Sequence, residues 1–235
     1  MQFLHSDLFM LTLTVAVYCA CQALYRRTRT TLLHPVLLTF LLMIAFLKIT
    51  GIEYSEYREA TAVLDFMLGM SVVALGYLMY EQSEHIKGNA TAILAATVTG
   101  CIVGVGSVAG IAAAMGADRE ILASIAPKSV TVPIAVSIAE PVGGIVSITS
   151  VVVFLTGVFG SICGTWILDR AGVKLPQARG FALGSAAHGI GTARAVELGA
   201  VEGALSGMAI ALMGAVTALV VPIAERLLQR LSPLE

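Results

Sequence analysis

Long apolar runs separated by short polar segments occupy most of the chain. Six of them are uninterrupted, and they cover residues 8–25, 32–49, 64–80, 91–115, 145–168 and 203–224. Most reach the roughly 20 residues that an α-helix needs to cross a bilayer, and the shorter ones border that limit. The pattern predicts an all-α, polytopic membrane protein with about six full crossings.

A seventh hydrophobic segment, residues 121–140, is interrupted. Lys128 lies in it between Pro127 and Pro133 and is the only charge before the terminal Glu140. Proline lacks the backbone N–H and breaks an α-helix. Irregular backbone at membrane depth is tolerated only where it is buried in protein or lines a cavity. We therefore expect a helix break near Pro127–Pro133.

An eighth segment, residues 177–199, holds His188 and Arg194 among five glycines, which weaken a helix. We expect its break near Gly189–Gly191, facing the first break near mid-membrane. Paired interrupted segments are typical of transporter substrate sites, in folds often built from inverted repeats. Residues 64–80 are a candidate counterpart of 121–140 in such a repeat.

Composition agrees with a membrane protein. The chain is 57% hydrophobic and 12% charged, whereas soluble domains contain about 25% charged residues. We expect one transmembrane domain over residues 1–235, with N-terminal helices in 1–115 and the interrupted segments in 116–235. Membrane lipid is an expected partner, and a net charge of −1 argues against nucleic acid.

Basic residues near the first run indicate its orientation. No Lys or Arg precedes the run, whereas Arg26, Arg27 and Arg29 follow it, opposite to a signal peptide. By the positive-inside rule we expect an uncleaved helix with its N-terminus outside.

Loop charges extend this orientation along the chain. Residues 118–120 fall outside and the basic loop 169–179 inside, so residues 121–140 should enter and leave on one side. If residues 177–199 cross fully, then the remaining charges divide between the two sides. Glu197 and Glu202 would be outside, and Arg226 and Arg230 inside.

The four cysteines lie in apolar runs without CxxC or histidine-rich spacing, which favours buried packing thiols over disulfides or a metal site. They are Cys19, Cys21, Cys101 and Cys163. No Ser-His-Asp, HExxH, P-loop or GxSxG pattern occurs, so we expect neither an enzyme nor a cofactor.

Lys128 is the sharpest candidate for a binding residue. A lysine at the membrane centre costs about 2.5–3.5 kcal/mol on insertion scales, so it should face a cavity or a partner. Ser129 and Thr131 beside it can donate hydrogen bonds, and a helix restarting after the break directs its positive end at an anion. The alternative is a structural ion pair with Glu140 or Asp65.

The second interrupted segment contributes His188, Thr192 and Arg194. Arginine has a planar fork suited to a carboxylate, and histidine exchanges a proton near neutral pH. Alternatively, Arg194 extends to the lipid headgroups and His188 is a packed, hydrogen-bonded core residue. Glu140 and Asp65 are further proton-coupling candidates, although Glu140 is equally explained as a loop charge and Asp65 as a partner of a helix N-terminus.

Two stretches resemble the signature regions of the LrgB/CidB family of bacterial inner-membrane proteins. They read IAPKSVTVPIAVSIAEPVGGI (125–145) and ARGFALGSAAHGIGTARAVELGAVEGALSGMA (178–209). The same region is similar to that of the plant plastidial glycolate/glycerate translocator. The family motifs fall on residues 127–131 and 188–194.

The resemblance implies two competing functions. One is transport of small monocarboxylates of the glycolate, glycerate, pyruvate or lactate type. The other is a holin/antiholin-like modulator of murein hydrolase activity and autolysis, acting with a small LrgA/CidA-type membrane partner. A cavity between the interrupted segments would favour transport, and a closed apolar interior would favour the modulator. We expect a homodimer in the inner membrane and a small anionic substrate.

One stretch departs from the family pattern. Residues 67–82 read MLGMSVVALGYLMYEQ, with Met70 and Leu78 where the family has prolines and Glu81 at a basic position. The first interrupted helix of the family is therefore expected to be continuous here.

Overall fold

The computed structural model describes residues 2–28, 33, 35–64, 66, 67, 70, 73, 77, 80 and 83–231. Within these ranges it contains helices and no strand, which confirms the all-α prediction. The helices are α1 (Asp7–Thr28), α2 (Pro35–Thr50), α3 (Tyr54–Ala60), α4 (Ser83–Ala114), α5 (Arg119–Ile125), α6 (Val132–Ala139), α7 (Val146–Arg170), α8 (Pro176–Leu198) and α9 (Ala200–Leu231), with 3-10 turns at Gln2–His5 and Glu140–Val142.

In the described part of the chain, four helices are long and apolar enough to cross a membrane: α1, α7, and the parts of α4 and α9 at Ala90–Ala114 and Ala200–Arg226. Helix α2 is apolar but has 16 residues, short of the usual crossing length. Most of the predicted run 64–80 lies outside the described residues, and so does the departure from the family pattern at Leu78.

The chain forms two compact units, residues 1–71 and 72–235. The first unit packs α1, α2 and α3 around buried Met10, Ile52 and Ala60. Tyr57 of α3 hydrogen-bonds to Thr14 of α1 at 3.0 Å. The prediction of a single transmembrane domain stays a prediction.

In the second unit, residues 119–142 form a re-entrant hairpin, which we call the first hairpin. Its ingoing limb is α5, whose Arg119 is paired with Glu225 near the end of α9. Its tip, residues 126–131, borders Met213 and Thr217 near the middle of α9. Its outgoing limb α6 returns past Gly214 and ends beside Pro222. The predicted break and the predicted return to the same side are both present.

Residues 176–198 form the second hairpin. Both of its limbs belong to α8, one on each side of a kink. The backbone leaves helical geometry at Ala187 and His188. A Cβ atom on Gly191 would lie 2.5 Å from the carbonyl oxygen of Leu183, a contact that an unbroken helix cannot bring about. The break is therefore one residue before the predicted Gly189–Gly191.

Contacts with α9 fix the direction of each limb of the second hairpin. Gly180 and Gly184 on the ingoing limb touch Glu202 and Ser206 in parallel order. On the outgoing limb Thr192 bonds Ser206, and Val196 packs against Gly203, the reverse order.

Residues 177–199 therefore do not meet the condition of a full crossing, because the second hairpin returns to the face from which it entered. The division of charges that depended on that condition does not hold. Glu197 and Glu202 share the face of loop 171–175. Helix α9 then carries Arg226 to the opposite face, where Glu225 meets Arg119. Arg226 thus shares the face of residues 118–120 instead of opposing them.

The second unit consequently contains two similar pieces of opposite direction, residues 119–170 and 176–231, each a re-entrant hairpin followed by a long helix. The hairpins reach the interior from opposite faces. The sequence suggested residues 64–80 as a counterpart of 121–140, and most of that run lies outside the described residues. Among the described residues, the second hairpin is a counterpart of the first.

Candidate functional site

The tip of the first hairpin brings Lys128, Ser129 and Thr131 together. Pro127 at the tip is fully buried, and Lys128 is half-buried with its Nζ 3.2 Å from Ser129 Oγ. No carboxylate of the described residues lies within ion-pair distance of Lys128, and Glu140, its suggested partner, is solvent-exposed. Asp65, the other suggested partner, lies outside the described residues.

Thr131 precedes α6 as its N-cap residue, yet its side chain makes no capping hydrogen bond. Its Oγ1 is buried and has no partner in the described part of the chain. A buried hydroxyl without a hydrogen bond costs about 1–3 kcal/mol. The first turn of a helix also leaves backbone N–H groups without intrahelical acceptors. The tip therefore offers a lysine, an unused hydroxyl and a helix N-terminus, all of which suit an anion.

The tip of the second hairpin is held by His188. Its φ of +41° is the only positive value at a non-glycine residue in the described chain. The ring is buried, and Nε2 lies 2.9 Å from the backbone oxygen of Val153 in α7. Since a carbonyl oxygen only accepts, Nε2 carries the hydrogen and donates it.

Glycines on α7 make room for this ring. A Cβ on Gly157 would lie 2.7 Å from His188 Nε2, and one on Gly164 would lie 2.7 Å from Leu183. A methyl group on Gly160 would collide with Ala187. Because β-carbons are absent at all three positions, the second hairpin approaches α7 closely.

Thr192 bridges the second hairpin and α9. Its Oγ1 donates to the carbonyl oxygen of His188 at 2.9 Å and lies 2.7 Å from Ser206 Oγ, which is fully buried. Ser185 on the ingoing limb has a buried hydroxyl without a partner among the described residues. Thr192 thus stabilises the return of the chain after the break.

The two tips meet through α7. Val153 supplies the backbone oxygen that His188 contacts, and its side chain belongs to a buried cluster with Val130 of the first tip. Ile138 of α6 and Met213 of α9 belong to the same buried cluster. The interrupted segments therefore converge on the same part of the interior.

Arg194 is not at this convergence. It lies on the outgoing limb, six residues beyond His188, and its Nη1 is 2.7 Å from Glu197 Oε2. A helical rise of 1.5 Å per residue places it roughly 9 Å nearer the membrane face. Its geometry matches the alternative interpretation, a charged residue of the interfacial region.

The space beside Ser129 at the first tip is small. A cavity of about 10 Å³ lies beside Ser129, bordered by Cys101 and Thr217, whose side chains are 3.5 Å apart. This space holds no more than about one water molecule. A carboxylate can reach Ser129 only if the hairpin or α9 moves.

The sequence reasoning missed the partners of His188. The backbone oxygen of Val153 has no sequence signal of its own. Gly157 could have been found, because it extends the spacing of Gly160 and Gly164 by one more turn on the same helix.

Comparison with known proteins gives a consistent family match. Residues 14–227 match the LrgB-like family. The chain is 36% identical over 205 residues to the uncharacterized protein YxaC of Bacillus subtilis, covering 87% of this chain and 89% of that protein. It is 35% identical over 191 residues to the antiholin-like protein LrgB of Bacillus mycoides (81% and 83%) and 28% identical over 214 residues to the holin-like protein CidB of Staphylococcus epidermidis (91% and 93%). No solved structure matches the chain.

Proposed function

The chain belongs to the LrgB-like family, and from that premise and the opposed hairpins we propose that it is a carrier for small monocarboxylates. It would act in the bacterial inner membrane with its N-terminus outside. Glycolate, glycerate, pyruvate and lactate share one carboxylate on a two- or three-carbon skeleton, which is the chemistry that one lysine and a few hydroxyls recognise.

The observation that carries this proposal is the state of Lys128 and Thr131. A half-buried lysine without a carboxylate partner lies at a helix break, and a buried hydroxyl without a hydrogen bond lies three residues away. Both features are costly in an empty protein. An anion that neutralises the first and bonds the second would remove both costs.

The roles follow from position. Lys128 attracts the carboxylate, while Ser129 and Thr131 orient it at the start of α6. His188 shapes the opposing tip and is the group through which a proton would be coupled. Thr192 stabilises the tip, because its hydroxyl donates a hydrogen bond to the backbone oxygen of His188.

Opposed re-entrant hairpins favour a carrier because they expose broken helix ends near mid-membrane without leaving backbone groups to the lipid. Because the space beside Ser129 is small, the anion can enter it only after a conformational change, which carriers undergo. Residues 119–170 and 176–231 are similar and run in opposite directions. Such a pair can open alternately toward the two membrane faces.

The second candidate is a holin- or antiholin-like modulator of autolysis that acts with a small membrane partner. The names of the relatives favour this function more directly than they favour transport. The small volume of the space beside Ser129 also favours it. A modulator needs no substrate, and its phenotype would require the partner.

Uptake by proteoliposomes that contain only this chain separates the two candidates. Labelled glycolate, pyruvate and lactate are supplied, and the wild type is compared with Lys128→Ala, Lys128→Arg and the loop control Lys174→Ala. We expect saturable uptake that Lys128→Ala abolishes, Lys128→Arg partly restores and Lys174→Ala leaves unchanged. Uptake of none of these anions, together with a lysis phenotype that depends on the small partner, would establish the modulator instead.

A further inference from the structure

A second cavity, larger than the one beside Ser129, lies away from the two hairpin tips. It has a volume of about 380 Å³ and lies between the outgoing limb of the first hairpin and the last turns of α9. Ser137 and Pro141 line it from the hairpin, and Ala218, Pro222 and Arg226 line it from α9. With about 30 Å³ per water molecule, the space admits a small hydrated solute.

The charge of this cavity is set by three side chains. Glu225 also lines it and is only 6% exposed, but Arg119 Nε lies 3.1 Å from Glu225 Oε1 and neutralises that carboxylate. Arg226 has no carboxylate within ion-pair distance among the described residues. Glu140 is near in sequence to Pro141, but it is exposed and does not line the space. The walls therefore carry one guanidinium that is not neutralised within them.

Pro222 adds a polar wall. Proline has no N–H, so the carbonyl oxygen of Ala218, four residues earlier, loses its intrahelical donor and can bind a hydrating water. Proline also weakens this turn of α9 and makes it a place where the helix bends.

The cavity leads toward Lys128 along α9. Ala218 lines it, and the adjacent Thr217 lines the small cavity beside Ser129. Ile138 borders the large cavity and belongs to the buried cluster that contains Val130 and Met213. This cluster therefore forms an apolar layer that borders both spaces.

We propose that this cavity is a vestibule that binds a small carboxylate anion before it passes to Lys128, with Arg226 as its anchoring residue. Outward movement of the limb around Ile138 opens the apolar layer. The Arg119–Glu225 pair keeps the ingoing limb fixed to α9 during that movement. The vestibule extends the carrier function proposed above and rests on it.

Thiol labelling tests the vestibule without requiring transport. Ser137→Cys, Ala218→Cys and the lipid-facing control Leu219→Cys are made in the full chain, with the four native cysteines replaced by serine or alanine. If that background fails to fold, Cys101 is retained, because it contacts Thr217. Membrane vesicles receive an anionic or a cationic methanethiosulfonate, and each rate is divided by the rate with a free thiol.

We expect Ser137→Cys and Ala218→Cys to react from one membrane face, with the anionic reagent favoured, and Leu219→Cys to remain unreactive. Glycolate should slow both reactions. Arg226→Gln should lower the normalised anionic-to-cationic ratio about tenfold, and Arg226→Lys should largely restore it. An unreactive Ala218→Cys, or a ratio unchanged by Arg226→Gln, would overturn the vestibule.

Thiol labelling and flux are separate measurements, so failure of the vestibule can be distinguished from failure of the carrier function. Reactive cysteines protected by glycolate, combined with no flux in proteoliposomes, would keep the vestibule as an anion site and reject the carrier. If proteoliposomes show flux but Ala218→Cys does not react with either reagent, the carrier is kept and the vestibule is rejected.

Discussion

His188 Nε2 and the backbone oxygen of Val153 lie 2.9 Å apart, and this hydrogen bond joins the break of the second hairpin to α7. The same residue has a φ of +41°, a conformation that costs a non-glycine residue on the order of 1–3 kcal/mol. A buried side-chain bond thus holds a backbone that the side chain itself disfavours.

Two substitutions at His188 separate these effects. His188→Ala loses the hydrogen bond and keeps the backbone strain, whereas His188→Gly loses the bond and relieves the strain. We expect both variants to be less stable than the wild type, with the glycine variant about 1 kcal/mol more stable than the alanine variant. Thermal unfolding in detergent, followed by size-exclusion chromatography, measures the order. An alanine variant as stable as the glycine variant would show that the φ of this residue carries no strain.

Gly157 supplies the space for the His188 ring, and its replacement gives a second test. In Gly157→Ala the new Cβ would lie 2.7 Å from His188 Nε2 in a packed interior, and overpacking of this kind typically costs 1–3 kcal/mol. We expect a lowered unfolding temperature and loss of uptake.

Gly106→Ala is the matched control for that change. A Cβ at Gly106 has no atom within 4 Å, so the substitution should stabilise α4 by about 0.5–1 kcal/mol through helix propensity. If both alanine variants behave alike, the close approach of His188 to α7 is not real.

The sequence predicted the helical class and both breaks because proline, glycine and intramembrane charge are local signals. Pro127 lies within the first break, between α5 and α6, and Pro133 lies in the first turn of α6. The second break was placed one residue late because two glycines suggested it, whereas His188 adopts the unusual φ. A glycine permits a break in a helix but does not determine where the break occurs.

Hairpin direction could not be read in the same way. Whether residues 177–199 cross or return depends on tertiary contacts such as Gly184 with Ser206, and no local pattern encodes them. The loop charges placed Arg226 opposite Glu197 and Glu202, and on the same side as loop 169–179, only if residues 177–199 cross fully. In the structure Arg226 follows Glu225, which is buried against Arg119, so Arg226 shares the face of residues 118–120.

The hydroxyls of Thr131 and Thr192 provide a contrast between binding and structure. Thr131→Val removes a buried hydroxyl that has no partner, so it should leave stability unchanged or raise it by about 1 kcal/mol while it weakens uptake. Thr192→Val breaks two hydrogen bonds and leaves Ser206 buried, so it should cost about 1–3 kcal/mol. Unfolding temperature and the substrate concentration for half-maximal uptake are measured on both. A marked loss of stability in Thr131→Val would assign that hydroxyl a structural role.

The re-entrant course of residues 176–198 makes a prediction about membrane sidedness. Lys174 precedes the second hairpin and Ala200 follows it, and both are exposed. Glu120 and Glu140 lie near the two ends of the first hairpin and are exposed as well. Single cysteines at the first two positions should react with an impermeant maleimide from one face, and cysteines at the last two from the other. The comparison uses sealed vesicles of both orientations, with lysed vesicles as the measure of full labelling. A full crossing would instead place Lys174→Cys and Ala200→Cys on opposite faces, and the opposed arrangement of the two hairpins would then have to be abandoned.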